Sequence, residues 1–329
     1  MKEKRGNILS TPKRHHFLPI FYLKNFCENE FFWVYDRKKN EYRKQTPNNT
    51  ATQKKYYSFI GCDGKEHNEI ENKVLSDIET ETKPIIDKID NRKIINLQEK
   101  MILTIFITFL HLRGPGFEKE MNDIFEKFIK IYAKFTFSTE ENTKKIIKWL
   151  EGNNKQKKLS PKKLFDFVNK ENYKVKAHRV FSLKMMYELA QELPMYFIQM
   201  DWQFCYSPKT SLFITSDTPF VLIPPNSYKK CELGRLGMLS RGTKKIVPLT
   251  QKVCLLLSDK GEKVENINIS SKKVRELNFH IAKNCDNLLI SRDKGLLEEL
   301  VKITNIDKFK ENSKVEMVQN GSFIIMHKK

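Results

Sequence analysis

Several short motifs that define enzyme classes are missing from this sequence of 329 residues. It contains no G-x-x-x-x-G-K-[ST], no G-x-G-x-x-G, no H-E-x-x-H and no G-x-S-x-G. The nucleoside triphosphatases, dehydrogenases, zinc proteases and serine hydrolases that these motifs define are therefore disfavoured.

Cysteine is scarce and dispersed. None of the six cysteines lies within four residues of another, so the chain has no C-x-x-C metal knuckle. The residues after Met1 read K-E-K-R-G-N, without the apolar segment of a secretory signal. We therefore expect a cytoplasmic protein with reduced, mostly structural thiols.

Long apolar runs are also absent. The longest covers residues 101–112, M-I-L-T-I-F-I-T-F-L-H-L, whereas crossing a bilayer takes roughly 20 residues. Because this run is apolar all round, it predicts a helix buried inside the protein. No transmembrane segment and no membrane partner are expected.

Positive charge is what the sequence has in excess. Lys and Arg number 60 against 40 Asp and Glu, a formal net charge of +20. Such a balance predicts attraction to phosphate-rich polymers or anionic membranes. Lysines spread evenly over a surface would instead serve solubility, because charge bears on association and not on fold.

The order of predicted elements indicates an α+β fold. A β-hairpin is expected over residues 30–44, mainly helices over 66–198, and short, mainly antiparallel strands with two helices over 199–329. Ser138 and Glu141 form a predicted capping box, and Ser160 with Pro161 predicts another helix start. Asn320-Gly321 indicates a final hairpin. We interpret the chain as one domain over residues 1–329, with 1–65 as its N-terminal part.

His16 is the first candidate catalytic residue. It precedes F-L-P-I-F-Y-L, and the pKa of histidine near neutrality suits a general acid or base. Lys13 and Arg14 could contact the phosphates of a nucleic acid. A surface histidine at the start of a strand would explain the same pattern.

Glu71 lies in an apolar helical stripe. At about 100° per residue, Val74, Leu75 and Ile78 fall within about 60° of it, and Glu79 lies at the edge of the stripe. A carboxylate in that place needs a counter-charge, a proton or a metal. A divalent cation, Mg²⁺ or Mn²⁺, and a structural ion pair are both consistent with it.

Arg113 and Asp217 complete the candidate catalytic set. Arg113 ends the buried helix, where it could clamp a phosphate or complement the helix dipole. Asp217 follows an apolar strand and precedes Thr218-Pro219, a place for metal or substrate chemistry and equally for an Asx-turn.

These segments together resemble a bacterial family of unknown function, number 4238. The resemblance spans about residues 13–292 and rests on landmarks in a fixed order: H-x-x-P-x-x-Y-L-x-x-F from His16 to Phe26, the glutamates Glu69, Glu71 and Glu79, then Arg113, Trp202, S-D-x-P at 216–219, P-L-T at 248–250 and Asn278. The usual arginine-threonine-proline is Arg113-Gly114-Pro115 here. Some members resemble single-gene bacteriophage-resistance factors, which implies a role in defence.

The leading expectation is therefore an antiphage defence effector that acts on nucleic acid as a metal-dependent nuclease. In it, Glu71, Glu79 and Asp217 would hold the metal, His16 would be acid or base, and Arg113 would clamp the phosphate. The main alternative is a sensor without catalysis that binds a phage protein or nucleic acid, where the same polar residues form a structural ion network. A third possibility is transfer or hydrolysis on a nucleotide or a protein by the same polar residues.

Overall fold

In a computed structural model of the chain, the described residues are 15–53, 59–60, 66–67, 75–153, 160–171, 173–177, 179–225, 237–306, 315–320 and 323–328. They form an α+β fold. The helices are α1 (Ile20–Lys24), α2 (Ser76–Asp90), α3 (Leu97–Leu112), α4 (Pro115–Thr136), α5 (Glu140–Asn153), α6 (Pro161–Lys170), α7 (Arg179–Phe197), α8 (Ser271–Asn284) and α9 (Lys294–Thr304).

The strands lie mainly at the two ends of the chain. They are β1 (His15–His16), β2 (Phe32–Asp36), β3 (Glu41–Gln45), β4 (Thr52–Gln53), β5 (Phe59–Ile60), β6 (Glu66–His67), β7 (Tyr173–Lys176), β8 (Met200–Tyr206), β9 (Thr215–Ser216), β10 (Val221–Ile223), β11 (Lys244–Pro248), β12 (Val253–Lys260), β13 (Val264–Asn268), β14 (Leu288–Ser291), β15 (Val315–Asn320) and β16 (Phe323–Lys328). Both predicted hairpins, β2–β3 and β15–β16, are formed.

The chain divides into two compact units, residues 1–116 with 186–309 and residues 117–185 with 310–329. In the first unit, one sheet has the order β3-β2-β14-β9 and is antiparallel throughout. A second sheet has the order β10-β11-β12-β8-β13, in which only β13 pairs in parallel. The core of this unit combines residues of both sheets with the buried faces of α8 and α9.

The second unit contains the antiparallel sheet β15-β16-β7 together with α5 and α6. Ser160 caps α6 and Pro161 is its first residue, as predicted. The start of α5 is one residue later than the predicted capping box, because Thr139 Oγ1, and not Ser138, accepts the amide of Asn142 at 3.1 Å.

The apolar run predicted to be a buried helix is α3. Its start is capped by Asn96 and Glu99, whose side chains each accept the other's backbone amide. Most of its later residues are buried, but Leu97 and Met101 in the first turns are exposed. None of the helices in the described part of the chain has the length and hydropathy that a membrane crossing requires.

Candidate active site

A polar pocket of about 300 Å³ lies in the first unit. One wall comes from the β2–β3 hairpin and the segment that runs into β4, and the other from the turn at Asp217 and the start of β14. The charged side chains that line it are Asp36, Lys38, Arg43, Asp217 and Asp286. Its size and mixed charge suit a small polar ligand or one unit of a polymer.

Asp217 is the buried carboxyl group of this pocket. Its two oxygens accept the backbone amides of Asp286 at 3.0 Å and Asn287 at 2.8 Å, and its own amide donates to the carbonyl of Leu288. Burial, and secondarily the charge of Asp286, raise the pKa of Asp217 from 3.8 to about 7, against the lowering effect of the backbone amides. This carboxyl group can therefore take up or release a proton near neutral pH.

Arg113 joins the end of α3 to the N-terminal motif. Its Nε donates to the carbonyl of Phe17 at 2.8 Å and its Nη2 to the carbonyl of His16 at 3.0 Å. Nη1 donates to Glu79 Oε1 at 2.8 Å, and only 3% of the arginine side chain is exposed. The guanidinium group thus binds backbone and a carboxylate of the same unit.

The backbone next to Arg113 contacts the turn that carries Asp217. A Cβ atom added to Gly114 would lie 3.4 Å from the carbonyl oxygen of Asp217, and one added to Gly116 would lie 2.6 Å from Thr218 Cγ2. Any side chain at Gly116 would thus require Thr218 to move. The end of α3 and the S-D-x-P turn are direct neighbours.

His16 lies beside the pocket on β1. This strand pairs with β4, with His16 opposite Thr52, and the amide of Phe17 donates to the carbonyl of Ala51. Phe17, Ala51 and Thr52 all line the pocket together with Asp217. The segments of His16, Arg113 and Asp217, which are far apart in sequence, therefore meet at one place, and Asp217 lines the pocket there.

Other landmark residues hydrogen-bond to landmark segments elsewhere in the chain. The Tyr22 hydroxyl donates to the carbonyl of Pro248 at 2.8 Å and lies 2.7 Å from Thr215 Oγ1. Asn25 Nδ2 donates to the carbonyl of Leu249. Asn278 Oδ1 accepts the amide of Ile214, and its Nδ2 donates to the carbonyl of Leu212. These contacts hold the motifs together without reaching the pocket.

Three predicted residues, Lys13, Arg14 and Glu71, lie outside the described residues. Of the predicted metal ligands, Glu79 is engaged by Arg113 and Asp217 lines the pocket. Within the part of the chain that the structure describes, no three or more His, Cys, Asp or Glu side chains are grouped so as to hold a metal ion.

Sequence reasoning missed the pocket residues contributed by the hairpin. Arg43 Nη1 donates to Asp36 Oδ2 at 2.8 Å and to Glu41 Oε1 at 2.9 Å, and Asp36 Oδ1 accepts the amides of Lys38 and Lys39. In the sequence, these residues form an ordinary charged hairpin tip. Only the pairing of β2 with β14 places them opposite Asp217.

The chain was compared with known proteins. A protein-family model described as "Protein of unknown function (DUF4238)" matches residues 14–295. No curated protein and no solved structure matches the chain.

Proposed function

The chain belongs to the DUF4238 family of proteins of unknown function, and from its pocket we propose that it is a bacterial antiphage defence effector that hydrolyses phosphodiester bonds in nucleic acid. The defence role rests on the resemblance of some family members to bacteriophage-resistance factors. The proposed chemistry rests on the pocket. One observation carries it: the buried Asp217 carboxyl group, whose pKa is raised to about 7, belongs to a pocket that Lys38 and Arg43 of the hairpin also line.

Hydrolysis requires proton transfer at two oxygens. A water oxygen forms a bond to phosphorus while the bond from phosphorus to one sugar oxygen breaks; the water loses a proton and the leaving oxygen gains one. A group with a pKa near the working pH performs either transfer efficiently. Asp217 would carry one of them, and His16 is the candidate for the other.

The phosphate would be held by the hairpin. Lys38 is exposed and lines the pocket, and Arg43 lines it with a guanidinium group already oriented by Asp36. Arg113 would act as a positioning residue for His16, because its nitrogens donate to the carbonyls of His16 and of the next residue, Phe17. The net charge of +20 would supply affinity for a polyanion.

A divalent cation remains part of this proposal. Mg²⁺ needs only one or two protein carboxylates and keeps several waters, so Asp217 with Asp286 would satisfy that minimum at the pocket. Glu79 would have to leave Arg113 to take part. Asp217 cannot hold a cation and transfer a proton at the same time, so the proton transfers above apply to the protein without a bound cation.

The test is cleavage of labelled single- and double-stranded RNA and DNA by purified protein, with Mg²⁺, with Mn²⁺ and with a chelator. Loss of a general acid or base costs about 10²–10⁴-fold in rate, so Asp217→Asn should cut at a rate reduced by that factor. Lys38→Ala, at an exposed position, should bind substrate more weakly with its fold intact.

The matched control is Glu276→Gln, which removes an exposed carboxylate that pairs with Lys273. It should cleave like the wild type. The proposal fails if the wild type cuts none of the substrates under any of the three ionic conditions, or if folded Asp217→Asn cuts at the wild-type rate.

A sensor without catalysis is the second candidate. It is favoured by the way Tyr22, Asn25, Asn278 and Arg113 contact backbone groups of distant segments, which is what a scaffold requires. Folded Asp217→Asn that still protects cells from phage, together with wild-type protein that binds but does not cut nucleic acid, would support it.

A further inference from the structure

Helix α4 has an exposed apolar stripe in the second unit. Ile124, Phe128, Ile131 and Phe135 follow one another at spacings of four, three and four, which places them within about 60° of arc on a helix. Tyr132 lies beside them. Each of these five side chains is more than half exposed, and Phe135 reaches 81%. Singly exposed apolar residues are normal on proteins, whereas a contiguous stripe indicates a binding surface.

Side chains of α4 outside the stripe make its contacts within the unit. The Phe125 and Phe181 rings lie 5.1 Å apart, and Lys130 Nζ lies 5.4 Å from the centre of the Tyr173 ring. Asn122 Oδ1 accepts the amide of Ala177 at 3.0 Å. These contacts orient the helix, so the exposed stripe is not the side that its unit uses for its own core.

Lysines outnumber acidic residues along the stripe. Between residues 124 and 135 the sequence has three lysines and one acidic residue, Glu126, which pairs with Lys130 at 2.8 Å away from the stripe, while Glu120 and Asp123 lie on the preceding turn. Lys127 is exposed at the edge of the stripe, and Lys134 lies on the same edge, paired with Glu171. The whole second unit has 21 Lys and Arg against 11 Asp and Glu, a net charge of +10.

We propose that this face of α4 docks on an anionic lipid surface. A helix with an aromatic and aliphatic stripe edged by lysines lies in the plane of a membrane interface, where its rings enter the acyl boundary and its cations meet acidic headgroups. The net charge predicts attraction to anionic membranes, and this face of α4 is where we expect that attraction to act. A second copy of the chain fits less well, because it would bring two faces of the same charge together. This proposal departs from the sequence-based expectation of no membrane partner, which rested on the lack of a membrane-crossing segment, because contact with one leaflet needs no such helix.

Co-sedimentation with vesicles tests this proposal. The protein should bind vesicles that contain phosphatidylglycerol and bind pure phosphatidylcholine vesicles at least about tenfold more weakly. Phe128→Ser combined with Phe135→Ser should lower binding to the anionic vesicles by about tenfold or more, since it removes the most apolar area. Lys127→Gln should lower it by a smaller factor that disappears at high salt.

The control is Ile94→Ser combined with Leu97→Ser, which removes two exposed apolar side chains of the first unit. It should bind vesicles like the wild type. Equal binding to both lipids, no binding at all, or unchanged binding by folded Phe128→Ser with Phe135→Ser would each overturn the proposal. Self-association that this double substitution abolishes would assign the face to a second copy instead. None of these outcomes depends on nucleic-acid cleavage.

Discussion

At the scale of single residues, two buried charged groups hold the candidate site together in different ways. Arg113 is satisfied by two carbonyls and a carboxylate, so its charge is compensated. Asp217 accepts backbone amides, but its burial and, secondarily, the charge of Asp286 raise its pKa and disfavour its ionised form. The first residue therefore has the contacts of a fixed support, and the second those of a group that can titrate.

Replacing Arg113 with lysine tests whether the hydrogen bonds of Arg113 stabilise the fold. An ammonium group cannot reproduce the planar fork that reaches His16, Phe17 and Glu79 together, so buried acceptors lose partners. We expect Arg113→Lys to lower the free energy of unfolding by about 2–4 kcal/mol in urea titrations. The exposed Arg275→Lys should change it by less than about 0.5 kcal/mol. Equal stability of the two variants would remove the supporting role of Arg113.

Replacing Asp217 with asparagine tests whether the raised pKa of this carboxyl makes the stability of the protein depend on pH. Because the folded-state pKa of about 7 lies above the ordinary 3.8, the folded chain keeps a proton that the unfolded chain has lost between these values. The contribution of this carboxyl to stability is therefore complete below about pH 4 and is lost as the pH rises through about 7. The wild type should exceed Asp217→Asn in Tm by more at about pH 5 than at about pH 8. A Tm difference that does not change with pH contradicts this.

At the scale of elements, the N-terminal motif is a short strand followed by a short helix that fastens distant strands. Helix α1 has only five residues, which is too few to be stable alone. Its Tyr22 is fully buried and bonds to residues of β9 and β11, and Asn25 at its end bonds to the segment after β11. The motif thus forms because these strands hold it, and it holds them in return.

The contribution of this fastening is measurable with Tyr22→Phe. The phenol has one hydrogen, which goes to the carbonyl of Pro248, so Thr215 donates to the phenol oxygen. Removing the hydroxyl leaves both buried partners unsatisfied, and the free energy of unfolding should fall by about 1–3 kcal/mol. The partly exposed Tyr196→Phe is the control in the same urea titration. A Tyr22→Phe protein as stable as that control would show that the contact is dispensable.

At the scale of the whole molecule, the positive charge is unevenly divided. The second unit, with 89 residues, has half of the net charge of +20. Binding of a polyanion by such a chain releases condensed counterions, so its affinity depends on salt. Recognition of a neutral surface on a phage protein would depend on salt much less.

If nucleic acid is the ligand, we therefore expect its affinity for the protein to fall steeply as the salt concentration rises. The affinity for a labelled single-stranded RNA should fall by at least about tenfold between about 50 mM and about 200 mM salt. Fluorescence anisotropy over that range measures it, with a neutral polymer of similar length as control. An affinity for RNA that does not change with salt would show that the positive charge of the chain does not contribute to nucleic-acid binding.

The α+β class, both hairpins, the buried helix and the capped start of α6 were predictable from the sequence, because each depends on neighbouring residues: a period of side chains, a cap or a turn dipeptide. The start of α5 was misplaced by one residue, since Ser138 and Thr139 are both good caps and local sequence does not choose between them.

The sequence by itself determined the family, the local elements and the excess of positive charge, all of which are written in short segments or in composition. Only the tertiary structure decided that Arg113 binds the backbone beside His16, that Asp217 lines one pocket with Lys38 and Arg43, and that the apolar stripe of α4 is exposed. The reason is physical. These are pairings between residues far apart in the chain, and the packing of sheets and helices selects them when their buried faces come together.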